Sequence, residues 1–198
     1  MSVSLSKGQK VSLAKVADEV GVTGKLNKIT VGLGWDAAKR GLFGRTTNID
    51  LDASAIMLID DKLAKSDDVV YYGNLQHKSC SVKHLGDNLT GDGDGDDEQI
   101  NVFLDKIPSK YNRIVFVVNI YGCKTKKQDF GMIENAFIRI FDTNSGVELC
   151  KFNLSDDYAG FTGMICGELY RHNDEWKFNP IGQGTHDSSI SVTAKSYK

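Results

Sequence analysis

Apolar residues recur along this chain mostly in short runs of period two, and seldom at the 3.6-residue spacing of an amphipathic helix. β-branched and aromatic side chains fill these runs, and glycine, asparagine, aspartate and serine separate them. The pattern predicts strands over residues 11–13, 28–35, 49–59, 69–72, 81–85, 99–104, 113–121, 135–141, 148–154, 164–170 and 175–181. Short strands at even spacing with turn residues between them predict an all-β fold, an antiparallel β-sandwich or barrel with few short helices.

Residues 113–121, Arg-Ile-Val-Phe-Val-Val-Asn-Ile-Tyr, are apolar on both faces, which places this strand inside the packing and not at an edge. Residues 105–110 suit one helical turn limited by Pro108, and 41–48 read as a loop. Residues 182–198 are polar and expected to be loosely held. No repeat or linker divides the 198 residues, so they are read as a single domain over 1–198, long enough to bury a substantial core. The formal net charge of −2 supplies no global attraction to nucleic acid, and no nucleic-acid partner is expected. Cys80, Cys123, Cys150 and Cys166 form no C-x-x-C pair, so a zinc ribbon or thioredoxin-like site is unsupported. The opening residues are polar and no apolar run is long enough for a bilayer. A reduced, cytoplasmic protein with buried or inert thiols is expected.

Charge is concentrated locally. Residues 86–98 read Gly-Asp-Asn-Leu-Thr-Gly-Asp-Gly-Asp-Gly-Asp-Asp-Glu, with six acids and no base. Such crowding is tolerable in a fully solvated loop, or with a cation among the carboxylates; oxygen ligands on a turn-forming backbone suit Ca2+. A second acidic element lies at Asp50 and Asp52. Alternation puts Ile49, Leu51, Ala53, Ala55 and Met57 on one face and Asp50 and Asp52 on the other, about 7 Å apart along the strand. Either the two acids mark a solvated strand entrance, or they share an ion with the glycine-rich loop. Asp92, Asp94 and Asp96 mimic an EF-hand opening, but the twelfth position is Phe103, where a bidentate glutamate is required.

Other chemistry has little support. His77, His84, His172 and His186 are scattered, and no G-x-S-x-G elbow occurs. Gly32-Leu33-Gly34-Trp35 lacks the third glycine of a dinucleotide site, and no Gly-Lys-Ser/Thr follows the 91–95 glycines. Trp35 and Trp176 read as packing residues, and Lys124, Lys126 and Lys127 as a solvated basic tip.

Several motifs together resemble the tellurium-resistance (TerD-like) family over nearly the whole chain. They are the opening at residues 4–13, Val31-Gly32-Leu33-Gly34-Trp35-Asp36, Asp50-Leu51-Asp52-Ala53-Ser54, and the 86–98 segment. Residues 113–118, 135–139, 167–171 and 175–178 and Gly182-Gln183-Gly184 continue the match. The resemblance implies a calcium-binding β-sandwich of C2-like layout, cytoplasmic and tied to tellurite resistance and general stress responses. It implies metal ligands at Asp50, Asp52, Asp87, Asn88, Asp94, Asp96, Asp97 and Glu98, with Asp36 a weaker candidate, and Ca2+ as the cofactor, two ions being expected. The expected function is a non-enzymatic stress-response module whose acidic loop orders on Ca2+ binding and presents a surface to a protein partner, with other stress-response proteins as candidates. The rivals are a metal-dependent nucleotide- or phosphoester-binding protein and a calcium-dependent membrane adaptor, for which the 39–47 loop with Leu42 and Phe43 would be the tip.

The chain departs from the family pattern in the basic residues Lys39, Arg40 and Arg45, in His77, Lys78 and Cys80, and in Thr185-His186-Asp187-Ser188 after Gly184. These positions bear on a partner surface and not on the acidic residues.

Overall fold

The computed structural model describes residues 2–37, 39–40, 45–46, 49–86, 95–154 and 156–198. Two six-stranded sheets face each other as a sandwich. The first runs, in spatial order, β1 (Val3–Leu5), β12 (Glu148–Asn153), β11 (Ile133–Asp142), β3 (Lys28–Ala37), β9 (Glu98–Phe103) and β8 (Val82–His84). The second runs β2 (Val11–Ser12), β14 (Glu175–Thr185), β13 (Gly163–His172), β10 (Arg113–Ile120), β6 (Leu51–Leu58) and β7 (Val69–Val70). β4 (Lys39–Arg40) and β5 (Arg45–Thr46) pair as a separate ribbon. β1 lies parallel to β12, and the other sheet pairings are antiparallel.

Alternation builds the core. Val31 and Leu33 of β3, Ile100 and Val102 of β9, Ala53, Ala55 and Met57 of β6, and Phe116 and Val118 of β10 meet between the sheets. Each such large side chain removed from water contributes about 1.5–3 kcal/mol. β10 sits between β13 and β6, as its two apolar faces require. Its outer residues Val115 and Val117 join Ile56 and Leu58 of β6 in a second cluster, closed by Ile190 and Ala194.

That closure corrects the expectation of a loose C-terminus. α3 (Ile190–Thr193) and a 3-10 turn over Ala194–Tyr197 lie across the sheet, and the Leu63 amide donates to the Tyr197 carbonyl at 2.5 Å. The polar composition hid two apolar residues one helical turn apart. A second correction is α1 (Leu13–Glu19), where only the end of a strand was expected. The Ser12 hydroxyl accepts from the Lys15 amide at 3.4 Å, and Leu13, Val16 and Ala17 turn inward at i, i+3, i+4 spacing. Residues 105–110 form hydrogen-bonded turns, not a helix: the Lys106 amide donates to the Phe103 carbonyl and the Tyr111 amide to the Pro108 carbonyl. The basic tip is a single exposed turn, α2 (Cys123–Lys126). Of the expected 41–48 loop only residues 45–46 are described.

Trp35 and Trp176 are buried. Cys123, Cys150 and Cys166 are buried free thiols; Cys80, also free, is exposed. Among the described residues, no helix is long and apolar enough to cross a membrane.

Candidate functional site at the acidic pole

The glycines of β3 open the site. A Cβ at Gly32 would overlap the Asp96 carboxyl, and one at Gly34 would meet the Phe137 ring and come within 2.6 Å of the Gly95 carbonyl. The Gly-x-Gly of this strand therefore clears room for the end of the acidic segment to lie against the sheet. The Asp97 amide donates to the Leu33 carbonyl, and the Trp35 amide donates to Asp97 Oδ2, both at 2.8 Å.

The next three acids then diverge. Asp96 lies over Gly32 with a fully buried side chain; it accepts from Arg139 Nε at 2.6 Å and Gln99 Nε2 at 3.0 Å. Arg139 also reaches Glu148 at 3.1 Å. The Asp96 hydrogen bond is the chief cause that raises the Arg139 guanidinium above its ordinary pKa, against the opposing effect of desolvation. Asp97 is occupied with the β3 backbone. Glu98 points the other way, between the sheets, and accepts from the Ala53 amide of β6 at 2.5 Å. β7 pairs with β6 only at Ala55 and Ile56, so at Ala53 a carboxylate takes the place of a neighbouring strand.

His84 lies against the same carboxylate, with Nε2 3.4 Å from Glu98 Oε2 and both side chains fully buried. The Gly86 amide donates to His84 Nδ1 at 3.2 Å, which makes Nδ1 an acceptor and places the neutral ring's proton on Nε2, facing Glu98.

Asp50 and Asp52 enter from the other sheet. Ile49, Leu51 and Ala53 face the inner core, so alternation directs Asp50 and Asp52 to the opposite face. Asp52 is directly across from Asn119 of β10, and the Tyr121 amide donates to the Asp50 carbonyl at 2.8 Å. Asn119 is a residue that sequence reasoning missed. It is buried, its Nδ2 donates to the Asp187 carbonyl at 3.1 Å, and its Oδ1 has no hydrogen-bond partner among the described residues. Its one sequence signal is a lone amide within the apolar run of residues 114–120.

The fold thus brings Asp50, Asp52, Asp97 and Glu98 to one end of the sandwich and sends Asp96 to the outer side of the first sheet. Asp36 is exposed and accepts from Asn135 Nδ2 at 2.7 Å. Asp87, Asn88 and Asp94 lie outside the described residues. Among the described residues, no three His, Cys, Asp or Glu side chains are gathered closely enough to hold a metal on their own.

Comparison with known proteins places this architecture. The TerD domain matches residues 1–197. Stress response protein SCP2 of Bacillus subtilis (strain 168) is 48% identical over 204 residues, covering 100% of both chains. Tellurium resistance protein TerD of Serratia marcescens is 44% identical over 196 residues, covering 98% of this chain and 97% of the relative. General stress protein 16U of Bacillus subtilis (strain 168) is 42% identical over 198 residues, covering 100% of this chain and 97% of that one. The crystal structure of a homologue of telluride resistance protein (TerD) from Streptomyces coelicolor A3(2) superposes with a TM-score of 0.68 at 18% identity, over 88% of this chain and 99% of that one; it shows the shared fold. With a domain match end to end and relatives this similar over their full length, the chain belongs to the TerD family, the family of tellurium-resistance and stress-response proteins.

Proposed function

We propose that this protein is a non-enzymatic, cytoplasmic calcium-binding module of the stress response, whose acidic pole is ordered by Ca2+ and then offered to a protein partner. The observation that carries the reading is the Glu98 carboxylate on the Ala53 amide, which joins the end of the acidic segment to the strand bearing Asp50 and Asp52. Two negative stretches distant in sequence are thereby drawn together, at an electrostatic cost that a hard divalent cation offsets.

The residues present fit such an ion. Asn119 Oδ1 is a buried neutral oxygen without a hydrogen-bond partner among the described residues, on the strand position facing Asp52. Asp50, Asp52 and Asn119 are therefore assigned as ligands, with Asp87, Asn88 and Asp94 from the family pattern. Carboxylates can accept an amide and bind a cation at once, so Asp97 and Glu98 can serve both as anchors and as ligands. Asp96, with each oxygen already taken by Arg139 or Gln99, is assigned to anchoring. Bound Ca2+ supplies positive charge and a fixed oxygen-coordination shell. The chain's part is to hold one end of the acidic segment against β3 and β6, where Asp97 and Glu98 are seated. The unpaired cysteines suit a reducing compartment.

Thermal unfolding with Ca2+ and with chelator tests this reading. Binding confined to the folded state adds about 2.7 kcal/mol at a hundredfold excess over the dissociation constant, so the midpoint rises with Ca2+. An unchanged midpoint contradicts it.

A further inference from the structure

At the end of the sandwich remote from the acids, a cavity of about 460 Å3 opens between α1, the β13–β14 turn and the turns after β9. β9 spans the distance, with Glu98 at one end and Phe103, next to the cavity-lining Leu104, at the other; that separates the two regions by about 20 Å. The volume is in the range of small-molecule sites. Its floor is apolar: Leu13, Ala17, Leu104, Ile107 and Trp176 are all buried. Its rim is acidic, with Asp18, Asp105, Asp174 and Glu175 against Lys25 and Arg171.

The cations do not neutralise that rim. The Arg171 guanidinium is stacked 4.6 Å from the Trp176 ring and donates through Nη2 to the Ile107 carbonyl at 3.1 Å. Glu175 accepts from the Ser12 hydroxyl at 3.0 Å. The carboxylates of Asp18, Asp105 and Asp174 have no ion pair among the described residues.

We infer that this cavity is a second binding site, for a small organic amine that carries an apolar body. The body covers the floor, and the ammonium meets the unpaired carboxylates. The site is independent of the calcium reading.

Tyramine, an aromatic ring with an ammonium and a hydroxyl, is the probe. Titrated into full-length protein, it shifts the Trp176 indole N–H resonance saturably and leaves that of Trp35 in place. 4-Hydroxyphenylacetate, with the same ring and a carboxylate, binds at least about tenfold more weakly. Asp105→Asn with Asp174→Asn weakens tyramine about fivefold. Asp105 and Asp174 are exposed, and Asn tolerates the φ of 61° that Asp174 adopts, so the variant folds. An unmoved Trp176 resonance at about 10 mM tyramine, equal binding of the carboxylate, or unchanged affinity in the double variant overturns the inference.

Discussion

Glu98 and Ala53 belong to different sheets, yet the carboxylate of one accepts the backbone amide of the other at 2.5 Å. This bond satisfies the edge of β6 where β7 no longer pairs, and it ties the end of the acidic segment to the strand of Asp50 and Asp52. Glu98→Ala leaves the buried Ala53 amide without its acceptor and takes the carboxylate away from the buried His84 ring. The expected loss is about 2–4 kcal/mol, seen as a midpoint drop of roughly 5–12 °C in chelator. A loss below about 0.5 kcal/mol would show that the bond does not join the sheets.

Gly34→Ala places a Cβ against the Gly95 carbonyl and the Phe137 ring. Overpacking of this kind costs about 1–3 kcal/mol in urea denaturation. Because the backbone that must move leads into the acidic pole, calcium affinity falls too. Full stability with wild-type affinity would show that the glycine has no part in seating the segment.

Arg139 and Asp96 form a coupled pair. Arg139→Met strands a buried carboxylate and destabilises; adding Asp96→Asn removes the stranded charge and recovers part of the loss. A double-mutant cycle gives a coupling of about 1–2 kcal/mol, discounted for the partial exposure of Arg139. Additive losses would mean that Asp96 does not depend on the guanidinium.

Burial alone pushes the Cys166 thiol up to about 12; burial and then the charge of Glu148 push Cys150 to about 12, both from an ordinary 9.0. Tyr111 moves from 10.0 to about 12, through burial first and then its hydrogen bond to Asp68. Raised folded-state values give stability that is complete below the unfolded pKa and lost as pH climbs toward the folded one. Unfolding free energy therefore falls between about pH 9 and pH 12, by at most about 1.4 kcal/mol per pH unit for each group. Cys166→Ala makes the slope shallower over this window, measured by urea titration at successive pH values. A thiol reagent at pH 8 labels Cys80 rapidly and the three buried cysteines only on unfolding.

How far the sequence could be read depended on where each signal lay. Strand β10 was legible because its apolar residues must be covered on both sides, and only a central strand allows that. The inward and outward faces of β6 followed from alternation, which puts Ile56 and Leu58 on the outer face. What covers them was not legible, since Ile190 and Ala194 are isolated in a polar tail. α1 was missed because its inward stripe holds only Leu13, Val16 and Ala17. At the acidic pole, composition could not separate three consecutive acids, yet Asp96, Asp97 and Glu98 go to an arginine, a β3 amide and a β6 amide. Their directions depend on β3 and β6 lying on either side of the segment, which is a tertiary property.

The central claim is that Asp50 and Asp52 share a calcium ion with the acidic segment. Calorimetric titration of Ca2+ into wild-type protein and into an Asp50→Asn, Asp52→Asn variant tests it most directly. The account predicts saturable heat for the wild type and at least about tenfold weaker binding for the variant. Absence of saturable heat in the wild type, or equal affinity in the variant, would contradict it.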